Sequence, residues 1–429
     1  MERYALSALC LGLFLLIHQS QCTNKVIFIS FDGFRHDYLD MAKAKGINIS
    51  AFEEIRSQGF QAIVNNVMTT LTFPSHFSMA TGRNVENHGL VGNKFYDPET
   101  AKTYVFTNNN NNIEPEWFEY AGSEALWATN ERHGYRSAVF SWVGSEARIN
   151  NKLAFATAGV YNTAYSLIYR IKRMLDWISS DSFNLGMLYF NQPDSAGHRF
   201  GPDSQEVMQE IELCNAGVAY LLQRIKETPS LNGKINLIIT SDHGMAQTGE
   251  KNKIVDVYNV IKDLEVILDE SPATLGIWPN GSTTEEILNA IEPLNENGFK
   301  KYMQNDIPER YFFKRNYRIA PIYLIADLGW MFKTGPSDYD HLYGMHGYDN
   351  EFPEMNPFMV ASGPDIEQFT ERQSFFQIDF YPLVCALLKL DKPNRIDGKI
   401  DRVLRFMKNP PSEEFLTQFR KYADGTLQH

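Results

Sequence analysis

The sequence predicts an α/β domain: a mainly parallel central sheet flanked by helices, with a small inserted subdomain. Three observations predict it. Short, almost wholly apolar runs recur along the chain, helical patterns separate them, and acidic residues stand where the runs end. Apolar runs without alternation suit strands covered on both faces. Strands alternating with helices imply a mainly parallel sheet, and such sheets bind ligands beyond the carboxyl ends of their strands.

The first run, residues 25–31, ends at Asp32-Gly33, and the second, 185–190, is followed closely by Asp194. The third, 235–240, ends at Ser241-Asp242, and 358–361 is the fourth. Residues 203–225 carry a helical pattern that opens with a capping-box-like Asp203…Glu206 pair. Residues 264–345 are less regular and richer in proline, asparagine and charge, which reads as an insertion with its own short strands before the chain returns at His346. The five asparagines 108–112 read as a solvated loop, and residues 411–429 as a polar C-terminal tail.

The ends and the composition bound the setting. Arg3 gives a basic flank, residues 5–17 are apolar, and Ser20 and Cys22 stand where a cleavage site would need small residues. Residues 1–22 therefore read as a secretory signal, too short to span a membrane, and the expected product is extracellular with no transmembrane anchor. Asn48-Ile49-Ser50 and Asn280-Gly281-Ser282 are glycosylation sequons that fit such a route. The 429 residues are 43% hydrophobic and 21% charged, with a formal charge of −12. That charge argues against binding a nucleic-acid duplex or an anionic membrane, yet permits a small anionic substrate wherever bound cations reverse the local potential. Cys10 and Cys22 fall in the signal, leaving Cys214 and Cys385 either bridged or as two buried thiols.

The chemistry stands at the strand ends. Asp32, Asp194 with His198 four residues on, Asp242 beside His243, and His346 form a set of carboxylates and imidazoles. The i, i+4 spacing puts Asp194 and His198 on one face of a helical turn, and Gly244 permits the turn that would let Asp242 and His243 share an ion. Mixed oxygen and nitrogen donors suit zinc better than magnesium. Thr72-Phe73-Pro74 precedes the apolar run 77–81, so Thr72 reads as a helix N-cap, where a helix N-terminus would favour an anion. A coordinated hydroxyl there would be an activated nucleophile.

These motifs carry a resemblance. Phe31-Asp32-Gly33-Phe34-Arg35, Thr72-Phe73-Pro74-Ser75-His76, Thr81-Gly82, His88-Gly89 with Asn93, Pro193-Asp194 with Gly197-His198, Ser241-Asp242-His243-Gly244-Met245 and His346-Gly347 occur in one order. From about residue 25 to 390 the chain resembles the ectonucleotide pyrophosphatase/phosphodiesterase family of the alkaline phosphatase superfamily, in its short form with a lone catalytic domain, here residues 23–410. The resemblance implies two zinc ions, one on Asp194, His198 and His346, the other on Asp32, Asp242, His243 and the Thr72 oxygen. It implies attack by Thr72, a phospho-threonine intermediate, and phosphate contacts from the Asn93 amide and the Phe73 N–H. His76 and His88 are expected in supporting or packing roles, and Lys94 as a solvated cation.

Two substrates follow from the resemblance. Phe73 stands where nucleotide-cleaving relatives stack a base, with Tyr161 as the other wall of the slot. Against this, residues 189–202 look like the choline-lipid-cleaving short members, and Trp142 falls where those present an aromatic for a quaternary ammonium. Nucleotide diester and choline phosphodiester both stay open. A catalytically inactive exported binding protein is disfavoured, because every candidate ligand and Asn93 are present.

Overall fold

The computed structural model describes residues 25–294, 298–336 and 341–429. The expected signal, residues 1–22, lies outside the described residues. Eight strands form the central sheet: β1 (Lys25–Phe31), β2 (Gly59–Asn65), β3 (Arg136–Phe140), β4 (Ala156–Thr157), β5 (Phe183–Phe190), β6 (Ile235–Thr240), β7 (Phe358–Ser362) and β8 (Gln373–Phe376). Their order across the sheet is β8-β2-β7-β6-β1-β5-β3-β4. All neighbours pair in parallel except β7, which runs antiparallel to both β6 and β2. The expected mainly parallel α/β architecture is therefore present, with the fourth apolar run reversed.

Both faces are covered, and that is why β1 reads as an unbroken apolar run. Val26 and Phe28 point into one half of the core, with Phe77 and Met79 of helix α1 (Thr72–Thr81). Ile27, Ile29 and Phe31 point into the other, with helices α2 (Leu167–Ile178) and α4 (Gln205–Glu227). A short helix, α3 (Asp194–Phe200), links β5 to α4. The α4 cap is Ser204, whose hydroxyl accepts the Val207 N–H at 3.2 Å, rather than Asp203. Asp203 instead meets the Arg35 guanidinium at 3.1 Å.

The same two-sided packing decides the cysteines. Cys214 lies in the core half under α4, while Cys385, in α5 (Phe380–Leu388), lies on the opposite face of the sheet. Both are buried free thiols, and the intervening sheet rules out a bridge.

Residues 264–345 hold a four-stranded antiparallel sheet in the order 266–270, 274–279, 322–326, 299–303, with a helix at Thr284–Ile291 opened by a Thr283/Glu286 capping box. Its Asp269 reaches the main domain, where Oδ1 accepts the Tyr96 N–H at 2.7 Å. The asparagine run is helical over Asn109–Ile113 rather than a loop, because Asn108 caps it and Asn112 is buried against the Tyr104 hydroxyl at 2.6 Å. Glu413–Ala423 is a helix whose Leu416 and Phe419 are buried in the α5 half of the core, so the C-terminal segment is packed onto the domain.

Candidate active site

Sheet register brings the acids together. Ser30 of β1 stands opposite Tyr189 of β5 and Thr240 of β6, so Asp32, the turn to Asp194, and Asp242 all leave the sheet at one edge. The reversed strand β7 starts at that same edge, so it is the chain before it, with His346, that reaches the site. Gly344–Met345 then pairs with Ala246–Gln247, setting His346 beside the segment that carries Asp242 and His243.

Two glycines make the approach feasible. Gly33 has φ +66°, and a Cβ there would meet the Asp194 Cα and Cβ at 2.8 Å. Gly244 is needed for room rather than for a left-handed turn, since a Cβ would lie 2.0 Å from the Glu354 carbonyl oxygen.

The result is a cluster of three carboxylates and three imidazoles, buried except for the partly exposed Asp194 and His198. His243 Nε2 lies 3.1 Å from Asp242 Oδ2, 3.3 Å from Asp32 Oδ1 and 3.2 Å from the Thr72 hydroxyl. Asp194 Oδ1 lies 3.3 Å from His198 Nε2 and 3.6 Å from His346 Nε2. The tightest ligating groups are Asp32, Asp242, His243 and Asp194, His243, His346. His243 is thus shared, and His198 joins the second group through Asp194. Each imidazole has its Nδ1 against a backbone carbonyl: His243 on Gly244 at 2.9 Å, His198 on Gly344 at 2.8 Å, His346 on Thr70 at 2.9 Å. With Nδ1 holding the proton for that bond, every Nε2 faces the cluster as a lone pair.

A metal fits this donor set on one further observation. Asp32 Oδ1, Asp194 Oδ1 and Asp242 Oδ2 are buried and accept no hydrogen bond. Orphan buried carboxylate oxygens are costly, and three converging ones are what bound cations relieve. The electrostatics agree. Burial, with Asp242 and Asp194 nearby, pushes the Asp32 carboxyl well above the usual range, and burial raises Asp194 as well. Burial also works against Asp242, but the adjacent His243 and His76 hold it low.

Thr72 is the first residue of α1 and not its cap, which is Leu71 with no side-chain bond. Its hydroxyl therefore turns to His243 instead of back to the helix. The helix end offers few free donors: Pro74 has no N–H, and Asn93 Oδ1 takes that of Phe73 at 2.9 Å. The Phe73 N–H, expected to face phosphate, is held by Asn93 Oδ1, which turns the Asn93 Nδ2 end away from Phe73. Phe73 is half-buried and its ring packs against Phe106 (centroids 5.5 Å), an exposed aromatic with no sequence signal to single it out. Tyr161 is half-buried against Tyr189 at 5.8 Å.

Other expectations are corrected or refined. Trp142 is 1% exposed, packed at a tilt against Phe28 and donating its indole N–H to the His76 carbonyl, so it cannot face a ligand. Lys94 is not free in solvent but ion-paired with Glu270 of the 264–345 segment. His76 bridges Ser30 Oγ and the Thr72 carbonyl, both at 2.8 Å, with Asp242 Oδ2 at 3.4 Å. His88 meets Ser78 Oγ at 2.9 Å, and burial drives its pKa down to about 3, so it is a neutral packing residue. Tyr189, whose hydroxyl donates to Asp32 Oδ2 at 2.5 Å, and Gln377, whose Nε2 donates to the Asp242 carbonyl at 2.6 Å, carried no sequence signal of their own.

A family profile described as type I phosphodiesterase / nucleotide pyrophosphatase matches residues 26–349, the span that contains every side chain in this cluster. The chain belongs to the type I phosphodiesterase/nucleotide pyrophosphatase family. Among relatives, it is 35% identical over 391 residues to human ectonucleotide pyrophosphatase/phosphodiesterase family member 5, covering 90% of this chain and 78% of that one. It is 33% identical over 380 residues to a bis(5'-adenosyl)-triphosphatase of Xenopus laevis, covering 87% and 79%. Among solved structures it matches murine ectonucleotide pyrophosphatase/phosphodiesterase 5, an inactive variant in complex with AMP, with TM-score 0.83 at 31% identity, over 90% of this chain and 100% of that one. The phosphodiesterase/pyrophosphatase fold and its class of chemistry, hydrolysis of phosphoric diesters, are therefore those of this chain. None of these relatives supports a choline ester as the substrate.

Proposed function

We propose that the protein is an exported, zinc-dependent nucleotide phosphodiesterase/pyrophosphatase that works through a phospho-threonine on Thr72. One observation carries the reading: the Thr72 hydroxyl lies 3.2 Å from His243 Nε2, at the mouth of a cluster with three unpaired buried carboxylate oxygens. Asp32, Asp242, His243 and Thr72 would hold one ion, and Asp194, His198 and His346 the other. Such ions would supply charge neutralisation at the phosphoryl group and a lower pKa for the hydroxyl.

The chain's own residues do the rest. The Thr72 oxygen attacks phosphorus in line, the P–O bond to the leaving group breaks, and the hydroxyl proton ends on the departing oxygen. Water then cleaves the threonine ester, which returns the hydroxyl and releases a phosphate monoester. Asn93 Nδ2 donates to a non-bridging oxygen as charge builds. His76 fixes the Thr72 carbonyl and Asp242 together, and so holds the nucleophile in register with the ligands.

The nucleotide reading is supported by Phe73 beside the nucleophile, by Tyr161, and by the relatives named for nucleotides. Export is supported by the leader pattern and by both sequon asparagines, Asn48 and Asn280, being exposed. No described helix is long and apolar enough to cross a membrane.

The test is Thr72→Ala, assayed on p-nitrophenyl thymidine monophosphate and on p-nitrophenyl phosphorylcholine. The expected result is a preference of the parent for the thymidine ester by at least about a hundredfold, as contacts to one half of a substrate can supply. The variant should lose turnover yet keep about two zinc ions. Full activity in the variant would overturn the nucleophile, and a reversed preference the substrate.

A further inference from the structure

Tyr189 occupies the junction between the ligating cluster and the aromatic wall. It is the next-to-last residue of β5, opposite Ser30 of β1. Its hydroxyl donates to Asp32 Oδ2 at 2.5 Å, while Asp32 Oδ1, without a hydrogen bond, lies 3.3 Å from His243 Nε2. Its ring meets the His76 ring nearly edge-on (centroids 5.1 Å, 84°) and packs against Tyr161 at 5.8 Å. Its backbone carbonyl accepts Arg170 Nη1 at 3.2 Å, and the buried Arg170 guanidinium lies 5.3 Å from the centre of the Tyr161 ring.

We propose that Tyr189 is a positioning residue acting twice: its hydroxyl restricts Asp32 to one ligating oxygen, and its ring sets Tyr161 at the substrate slot. The proposal rests on the two-metal reading above. A carboxylate with both oxygens free can bind one ion through both of them, filling a position that substrate needs. The phenol prevents this by occupying Oδ2, and fixes the plane in which Oδ1 is presented. Groups bonded behind a ligand in this way commonly govern metal affinity. The ring's role is separable, because it depends on shape and not on the hydroxyl.

The experiment compares the whole protein with Tyr189→Phe, Tyr189→Leu and Tyr161→Leu. Zinc affinity is read by competition with a chromophoric chelator, and KM for p-nitrophenyl thymidine monophosphate at saturating zinc. Tyr189→Phe should weaken one zinc about 10- to 100-fold while leaving KM unchanged. Tyr161→Leu should raise KM with unchanged zinc affinity, and Tyr189→Leu should do both. Wild-type zinc affinity in Tyr189→Phe overturns the hydroxyl's role, and an unchanged KM in Tyr189→Leu overturns the ring's. A parent protein that binds no zinc overturns the two-metal reading itself, which is a distinct result. Melting curves show first that Tyr189→Phe is folded, and Asp32→Asn with and without Tyr189→Phe then decides whether the loss runs through Asp32. The second change should cost no further zinc affinity if Tyr189 acts through Asp32, and an added loss overturns the proposal.

Discussion

Asn93 Oδ1 accepts the backbone N–H of Phe73 at 2.9 Å, which ties the residue after the nucleophile to the strand that leads away to Asp97. The bond fixes which end of the amide a substrate can meet. Asn93→Ala removes that Nδ2 donor and releases the start of α1 at once. We expect kcat/KM for a nucleotide ester to fall about 10²- to 10³-fold, the usual cost of one donor to developing charge. Zinc content should stay unchanged, and steady-state kinetics with metal analysis checks both.

Metal removal should be felt by the fold as well as the chemistry. Within the ligand cluster, three buried carboxylate oxygens have no hydrogen-bond partner. Chelation should therefore lower Tm, and returning zinc at a thousandfold excess over Kd should restore about 4 kcal/mol for each site filled. Scanning calorimetry with and without chelator reads this, and an unchanged Tm would count against the cluster as a metal site.

Phe73→Ala separates base contact from phosphate chemistry. Loss of one base–aromatic stack is worth about 1–3 kcal/mol. We expect kcat/KM on the thymidine ester to fall by that amount, while bis(p-nitrophenyl) phosphate, which has no base, changes little. Equal losses on both substrates would make Phe73 a packing residue.

A pH effect is expected away from the site, at Asp269. Burial raises its pKa to about 7, opposed by its bonds to the Trp278 and Tyr96 N–H groups and by Lys94. A raised acid binds its proton more tightly when folded than unfolded. Its stabilising contribution is thus complete below about pH 4, the ordinary carboxyl value, and is lost as pH rises toward about 7. Asp269→Asn cannot titrate. Its stability relative to the parent should therefore improve steadily between those two pH values, whatever constant offset the lost acceptor adds. Denaturant melts at several pH values check this, and a difference flat with pH would refute it.

The sheet was legible because double burial writes itself as apolar runs, and the candidate ligands because parallel strands deliver their acids to one edge. What failed needed information that a run does not carry. The run 358–361 has no intrinsic direction, so β7 could not be known to be reversed until its neighbours β6 and β2 were placed. Two helix caps stand one residue from the expected ones, Leu71 in place of Thr72 and Ser204 in place of Asp203, because packing and not residue type alone decides where a helix begins. Trp142 and Tyr161 are both aromatic in irregular segments, and only the fold tells a fully buried ring from a half-buried one. Tyr189 gains its partner from the β1–β5 register, and Asn112 from Tyr104, neither of which is local.

The placement of β7 has a consequence for how the protein is made. The candidate ligands run from Asp32 to His346, yet the strand that completes the middle of the sheet follows the last of them. During synthesis from the N-terminus, every ligand exists before β6 has its second neighbour and before β2 is joined to the sheet at all. A chain ended at residue 349 would own the full ligand set without the frame that aligns it. Metal capture should therefore wait for the C-terminal eighty residues or so, and metal retention becomes a report on whether the chain was finished.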